Sequence, residues 1–439
     1  MSLALTGCSS GGGGSSNGGS ATKGSINWWS WTPDNDLAAR EIAAFNKQYP
    51  NIKVTYKKVP IDNYAAVLRP ALASNSGPDV FSVNASGSFS GQAFAPYAYD
   101  LTPAMKKLLG SDWKSKVAPG GTQAWTVKGR LVAMEFGTVG AGMLWINQDI
   151  FDKYKLKPPT NMAEWQTLCK TFRSKGLGCL REGLSGTAGF VVDTLHSIAD
   201  NVQPGVWQSA LTGKKSWDDP AIVKSLQLLG QMAHNGILDP GATGILQYPD
   251  VNNAFLSGKV PMVQMGTWYA QYATQNSLTA ALAGAGVPAS TKHITIMPVP
   301  FPDVAGSGNA PVLFADPDVG NSVNAKSKNL NAAVTFAIWL GGTKAGGEVV
   351  GNNLDELPTL KGVSPQFDKI QLVNPSMQGP AIKQLITTLS TATEPRSLGM
   401  SAQVSQAIID ASQGVVNGSK SAEAGAAGIK AAAAAGGAG

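Results

Sequence analysis

Residues 25–83 switch repeatedly between two hydrophobic periodicities, and that switching restricts the fold more than any other feature of the chain. Ser25 to Trp31 reads as a strand that enters the cluster Trp28-Trp29-Ser30-Trp31. Thr32-Pro33-Asp34 turns the chain, and Asn35 or Asp36 is placed to cap a helix. Ala38, Ile42, Phe45 and Tyr49 recur at helical spacing, and Pro50 stops them. Ile52, Val54 and Tyr56 then alternate as a second strand. A helix is expected from about Asn63, kinked or cut short at Pro70. Gly77-Pro78-Asp79 turns into a third, largely apolar strand at Val80–Val83. Strand, helix, strand, helix, strand in this order predicts an α/β fold with a parallel sheet and right-handed crossovers.

The chain has 439 residues, enough for two domains with their own cores. Only 14% of residues are charged, and 51 are glycine. No apolar run approaches the roughly 18 residues that a membrane span requires. The net charge is +6, but Lys and Arg are scattered, with no basic stripe interleaved with aromatics. A nucleic-acid partner is therefore not expected.

Leu5-Thr6-Gly7-Cys8 looks like a bacterial lipobox, which would make Cys8 the lipidated residue of a diacylglycerol anchor. Residues 1–24 then comprise the lipobox and a Gly/Ser-rich tether, reaching roughly 20–25 Å as a random coil. The stretch before Cys8 has no basic n-region and is shorter than an h-region of about 7–15 residues, so part of the leader is expected upstream. Such an anchor places the protein outside the cytoplasm, on the outer face of a bacterial membrane. In that oxidising setting Cys169 and Cys179 are expected to form a disulfide.

Asn253 to Ala273 packs several signals together. Phe255 ends a helix broken by Gly258, and Val260, Met262 and Gln264 alternate as a short strand. Gly266 permits close backbone approach, and Trp268 opens the next element. Phe-x-x-Gly-Lys-x-x-Met-x-x-x-Gly-x-Trp resembles the pattern of family 1 extracellular solute-binding proteins, the sugar-capturing components of ABC importers. The order of other segments agrees: Gly77-Pro78-Asp79-Val80, Asp100-Leu101-Thr102-Pro103, Gly129-Arg130-Leu131-Val132-Ala133, and Pro159-Thr160-Asn161-Met162-Ala163-Glu164-Trp165. The last is also a capping box, with Asn161 as N-cap and Glu164 at N3. Trp145-Ile146-Asn147-Gln148-Asp149 stands where the family usually has Tyr-Asn-Lys-Asp. The likeness runs from about Ile26 to Gly414.

That resemblance implies a two-lobed periplasmic-binding-protein-like fold with hinge crossovers and a cleft between the lobes. One lobe would comprise residues 25–136 plus 298–345, the other 137–297 plus 346–425, with Gly137–Ala141 crossing between them. Residues 426–439 are expected to be a disordered tail. The family implies a small-molecule carbohydrate ligand, ABC permease subunits as partners, and a monomer touching the membrane only through its anchor.

The sequence offers little for catalysis. His196, His234 and His293 lie far apart, in neither H-x-H nor H-E-x-x-H order, so no metal and no cofactor is expected. No Gly-x-Ser-x-Gly elbow or phosphate loop appears. The paired acids Asp34/Asp36, Asp218/Asp219, Asp316/Asp318 and Asp355/Glu356 keep one alternative open, a secreted glycoside hydrolase, which needs two carboxyls about 5–10 Å apart. What is over-represented is indole, 11 Trp in all. Aromatic faces stack on pyranose C–H faces while carboxylates, amides and guanidinium groups bond hydroxyls. Trp113, Trp165 and Trp339 are assigned to cores. The ligand-binding candidates are Trp31, Asn84, Ser86, Trp207, Gly266 and Trp268, with Asp316 in an Ala-Asp-Pro-Asp turn and Arg396 in Thr-Glu-Pro-Arg. Asn84 and Ser86 follow a strand's carboxyl end, where open α/β sheets bind ligands.

Overall fold

The computed structural model describes residues 18–74, 76–186, 189–288, 291 and 294–436; Cys8 and His293 lie outside the described residues. The opening alternation forms as expected. Gly24–Ser30 pairs in parallel with Ile52–Lys58 on one side and with Val80–Val83 on the other. Helices Asn35–Asn46 and Ile61–Ala73 make the crossovers. Asp34, not Asn35 or Asp36, is the N-cap of the first. Pro70 falls in the last turn of the second, where the chain continues only to Ala73.

The parallel strands are part of a six-stranded mixed sheet. Its order is Leu357–Pro358, Met134–Ala141, Phe314–Val323, Val80–Val83, Gly24–Ser30, Ile52–Lys58. Trp28, Phe81, Phe136, Phe336 and Trp339 are among the side chains of its core. A second, four-stranded sheet runs Ile296–Pro300, Met143–Asn147, Met262–Gln264, Leu180–Arg181. Its strand Met143–Asn147 is buried on both faces: Leu144 and Ile146 enter one apolar cluster, Met143 and Trp145 another. Side chains alternate across a strand, so one five-residue segment serves two cores.

Phe314–Val323 was expected to contain a turn at Asp316-Pro317-Asp318. Instead it is a ten-residue strand, antiparallel to Met134–Ala141, with a register shift between Pro317 and Val319. The irregularity accommodates a proline that cannot donate to the ladder, and it leaves Asp318 without a paired residue there. Gly137–Ala141 likewise stays on the first sheet as strand rather than crossing as a free segment. The chain turns into the second sheet at Gly142, whose φ of +102° suits glycine. A Cβ there would also lie 2.2 Å from the Val312 carbonyl oxygen.

Three other expectations are corrected. Residues 298–300 belong to the second sheet, and Phe301 and Val304 lie in its core, so the return to the first sheet begins at Phe314. Leu357–Pro358 pairs with Met134–Ala141, so the first lobe extends past residue 345. The tail is not disordered through 435: Ala422–Ala435 is a helix capped by Ser421, with Ala426 and Ile429 fully buried. It packs on helices Ala402–Val416 and Pro220–His234, where Gly425 lets the backbone approach Ala411 and Leu226 closely. Its buried stripe, Ala422, Gly425, Ala426 and Ile429, holds a single large side chain, too little to register as a hydrophobic face.

Cys169, in helix Met162–Ser174, is bonded to Cys179 with their Cα atoms 5.1 Å apart. Asn161 caps that helix by accepting from the Glu164 N–H, and Glu164 reaches back to the N–H and hydroxyl of Thr160. The disulfide closes a loop of only ten residues' separation. Cys169→Ser/Cys179→Ser should therefore lower unfolding free energy by roughly 2–3 kcal/mol in the chain-entropy account, read as a shifted denaturant midpoint.

Candidate functional site

The carboxyl ends of the first lobe's strands and the exit of Met262–Gln264 from the second meet around Trp268. Gly266 permits the meeting: a Cβ there would lie 2.0 Å from the Trp268 ring and 2.5 Å from the Gly140 carbonyl oxygen. Thr267–Ala273 is a 3-10 helix, and Trp268 opens it half-buried. The indole Nε1 donates to Tyr248 Oη at 3.1 Å, and Phe190 packs 6.1 Å away, centroid to centroid. The Arg396 guanidinium sits 5.0 Å from the ring centroid, a cation–π placement.

Arg396 is held by two parallel bonds. Its Nε and Nη2 donate to the two carboxylate oxygens of Asp193 at 2.8 Å each, and Nη1 lies 4.0 Å from Asp318. Glu394, two residues before Arg396, instead faces His196. Asp318 also accepts from Asn84 Nδ2 at 2.9 Å. Asp316 accepts from the N–H and hydroxyl of Ser397 and from the Leu398 N–H, while Ser86 and Ser397 share a hydroxyl–hydroxyl bond of 2.9 Å. Trp31 is edge-on to Tyr64 and Phe89 at about the distances of packed aromatics, 5.2 and 4.9 Å. Trp31 thus packs in the first-lobe core, while Asn84, Ser86, Asp316, Gly266, Trp268 and Arg396 are brought together.

Trp207 is not. It lies in helix Val206–Leu211, fully buried, its ring parallel to His196 and edge-on to Trp217. Gly205, which reads as a loop residue, is that helix's N-cap, and the helix turns the indole into the second-lobe core. Trp113, Trp165 and Trp339 are core residues, as expected.

Sequence reasoning missed Asp193, Phe190, Tyr248 and Ser397. Asp193 carries a signal, a lone acid in the apolar run Phe190-Val191-Val192-Asp193, but its partner lies 203 residues away. The acid pairs divide cleanly. Asp219 caps helix Pro220–His234, Asp218 pairs with Lys430, and Asp36 pairs with Arg40. Asp34 pairs with Lys58 and accepts from Tyr272 Oη, and Asp355 accepts from Thr32 and Gln271. These last bonds join the two lobes. Asp355 and Glu356 are buried beside Asp318; burial, then Asp34, pushes Asp355 up to about 8, and burial, then Asp318, holds Glu356 well above the usual carboxylate range. Both carboxyl oxygens of Glu356 are buried without a hydrogen-bond partner. Burial also raises Asp316, to about 6.

The arrangement supplies hydroxyl-scale hydrogen bonding in both senses, ionised acceptors and neutral carboxyl donors, next to aromatic faces. The neutral carboxyls make stability depend on pH. Burial pushes Glu41 to about 8 and Glu135 and Glu182 to about 7. A carboxyl with a raised folded pKa gives stability that is complete below its unfolded pKa and lost as pH rises through the folded value. Melting temperature should therefore fall between about pH 5 and about pH 8, by several degrees if a few kcal/mol are involved. Glu41→Gln, which keeps a partner for Asn353, should flatten that slope in scanning calorimetry.

Among the described residues, no helix is long and apolar enough to cross a membrane. A family model described as bacterial extracellular solute-binding protein matches residues 29–347. An uncharacterized ABC transporter extracellular-binding protein of Pyrococcus horikoshii is 21% identical over 248 residues, 55% of this chain and 56% of that protein. The match thus spans about half the length of that curated relative. Two solved structures share the fold. One, from work on xylan utilization by the thermophilic bacterium Caldanaerobius polysaccharolyticus, is 22% identical with a TM-score of 0.70, covering 93% of this chain and 99% of that one. The other, maltose-bound MalE3 of T. maritima, is 18% identical with a TM-score of 0.71, covering 93% and 98%.

Proposed function

The chain belongs to the bacterial extracellular solute-binding proteins, and from that premise we propose that it captures a sugar, preferentially an oligosaccharide, between its lobes for delivery to an ABC permease. The observation that carries this reading is the set of groups around Trp268: an indole face backed by Arg396, with Asp193, Asp316, Asp318, Asn84 and Ser86 from both lobes within one bonded network. The likeness in fold to maltose-bound MalE3 supports it. Ligand entry requires the interlobe bonds of Asp34, Asp355 and Ser397 to open, and closure remakes them around the sugar, completing hydrogen bonds that water otherwise makes. No covalent step is needed. Lipidation of Cys8 would hold the protein at the outer face of the membrane, close to the permease.

The alternative, a glycoside hydrolase, would use Asp316/Asp318 or Asp355/Glu356. Asp316 is engaged by Ser397 and Leu398, and Asp355 by Thr32 and Gln271, which favours binding over turnover. Calorimetric titration with an oligosaccharide panel, run beside an assay for released reducing ends, decides between them. The expected result is saturable binding with the sugar unchanged. Steady release of reducing ends would overturn the binding-protein reading, and absence of binding across the panel would remove sugars as the ligand.

A further inference from the structure

A second polar cluster adjoins the network around Trp268 but shares no side chain with it. Helix Val191–Val202 carries His196 and Asp200 four residues apart, on one face. Glu394 comes to them from the loop whose backbone accepts the Ala315 N–H at 2.9 Å. The side chains of His196 and Asp200 are each 1% exposed and that of Glu394 17%. The isolated spacing of the histidines in the sequence gave no hint of this convergence.

Both carboxylates aim at the same nitrogen. His196 Nε2 lies 3.1 Å from Asp200 Oδ2 and 3.5 Å from Glu394 Oε2, and the three atoms all fall within 4.8 Å of one another. One N–H cannot serve two acceptors well, and the buried Asp200 Oδ2 receives no properly directed hydrogen bond. Arg396, two residues beyond Glu394, is committed to Asp193. The imidazole cannot swing away to relieve this, because it is clamped flat between Trp207 and Phe314, at 4.9 and 3.8 Å centroid to centroid.

We propose that His196, Asp200 and Glu394 form a binding site for a divalent transition-metal ion of the zinc type. Charge and geometry both support it. A neutral imidazole with two carboxylates carries two negative charges, which a divalent ion cancels. Without the ion, only protons shared within the set can offset that charge. Ligands about 2.0–2.1 Å from a tetrahedral centre are roughly 3.3 Å from each other, and the two measured separations from Nε2 lie on either side of that value. An imidazole nitrogen with two carboxylate oxygens suits zinc, cobalt or manganese over calcium or magnesium, which favour all-oxygen sets. The partial exposure of Glu394 provides a way in. Because Glu394 bonds through its backbone to the strand bearing Asp316 and Asp318, and precedes Arg396 by two residues, the ion would brace the loop that supplies Arg396 and Ser397.

The test uses the full, untagged chain stripped with a chelator. Zn2+ titrated by calorimetry should bind with one equivalent, and Co2+ should give visible absorption bands of the intensity expected for four or five ligands. Glu394→Gln, partly exposed and conservative in shape, should keep a normal melting curve in the metal-free state yet lose at least about tenfold in Zn2+ affinity. Asp200→Asn should do the same. Mg2+ should not compete with Zn2+. Zn2+ affinity equal in the wild type and Glu394→Gln would mean binding elsewhere and would overturn the assignment. So would absence of any Zn2+ or Co2+ binding, which would leave the cluster as carboxylates sharing protons with an imidazole.

Discussion

Trp268→Ala should weaken oligosaccharide binding about 30- to 1,000-fold, the equivalent of roughly 2–4 kcal/mol, while the fold survives. The indole lies at the meeting of the lobes and is only half-buried, so its removal opens no closed cavity in either core. What is lost is an aromatic face, the bond to Tyr248 and the surface over which Arg396 rests. Trp113→Ala provides the contrast. That indole is 2% exposed within the first-lobe core, and its truncation should cost about 3–5 kcal/mol of stability with near-normal affinity in whatever remains folded. Titration calorimetry and melting curves on both variants make the comparison. Unchanged affinity in a well-folded Trp268→Ala protein would move the binding site elsewhere.

Asp193→Ala should destabilise the protein by about 3–5 kcal/mol, because it removes the bidentate partner of a largely buried guanidinium. Asp318, 4.0 Å from Arg396, is too distant and too committed to Asn84 to replace it. The double variant Asp193→Leu/Arg396→Met should recover much of the loss, since it removes both charges and keeps the volume. Urea denaturation of Asp193→Leu, Arg396→Met and the double variant gives the coupling. If Asp193→Ala unfolds at the wild-type midpoint, the pair is not holding the interlobe loop in place. The same double variant should still bind sugar poorly, separating the structural contribution of the pair from its place in the binding network.

The parts of the fold that could be read from sequence were those set by short-range pattern. Residues 24–83 declare their strands and helices through spacing alone, and Gly266 followed by Trp268 marked a close approach that the structure contains. Phe314–Val323 was misread because Asp-Pro-Asp is the chemistry of a turn; the strand tolerates it only through a bulge whose existence depends on Met134–Ala141, far away in the chain. Trp207 misled for a related reason: Pro-Gly before it signals a loop, and only the helix that follows decides which way the indole faces. For the candidate site, the first-lobe residues followed from the rule about strand ends. The residues that hold them did not. Asp193 meets Arg396, and Ser397 meets Asp316 and Ser86, through separations of 203, 81 and 311 residues, and nothing local in the sequence announces such pairs.

Neither lobe is written as one stretch of chain, and that has a consequence for how the protein is made. The middle of the first sheet is Phe314–Val323, so a nascent chain lacks the strand that joins Met134–Ala141 to Val80–Val83 until well over two thirds of it has emerged. The second lobe waits longer still, because Ala402–Val416 and Ala422–Ala435, which close over Pro220–His234, are made after the strands of both sheets. Folding domain by domain from the amino terminus, the usual course for chains of this size, is therefore closed to this one. Its early segments must stay apart, with apolar faces uncovered, until the last helix arrives. A stop codon just before Gly425 would leave Leu226 and Ala411 without their cover, and the damage would be to the whole second lobe rather than to its edge.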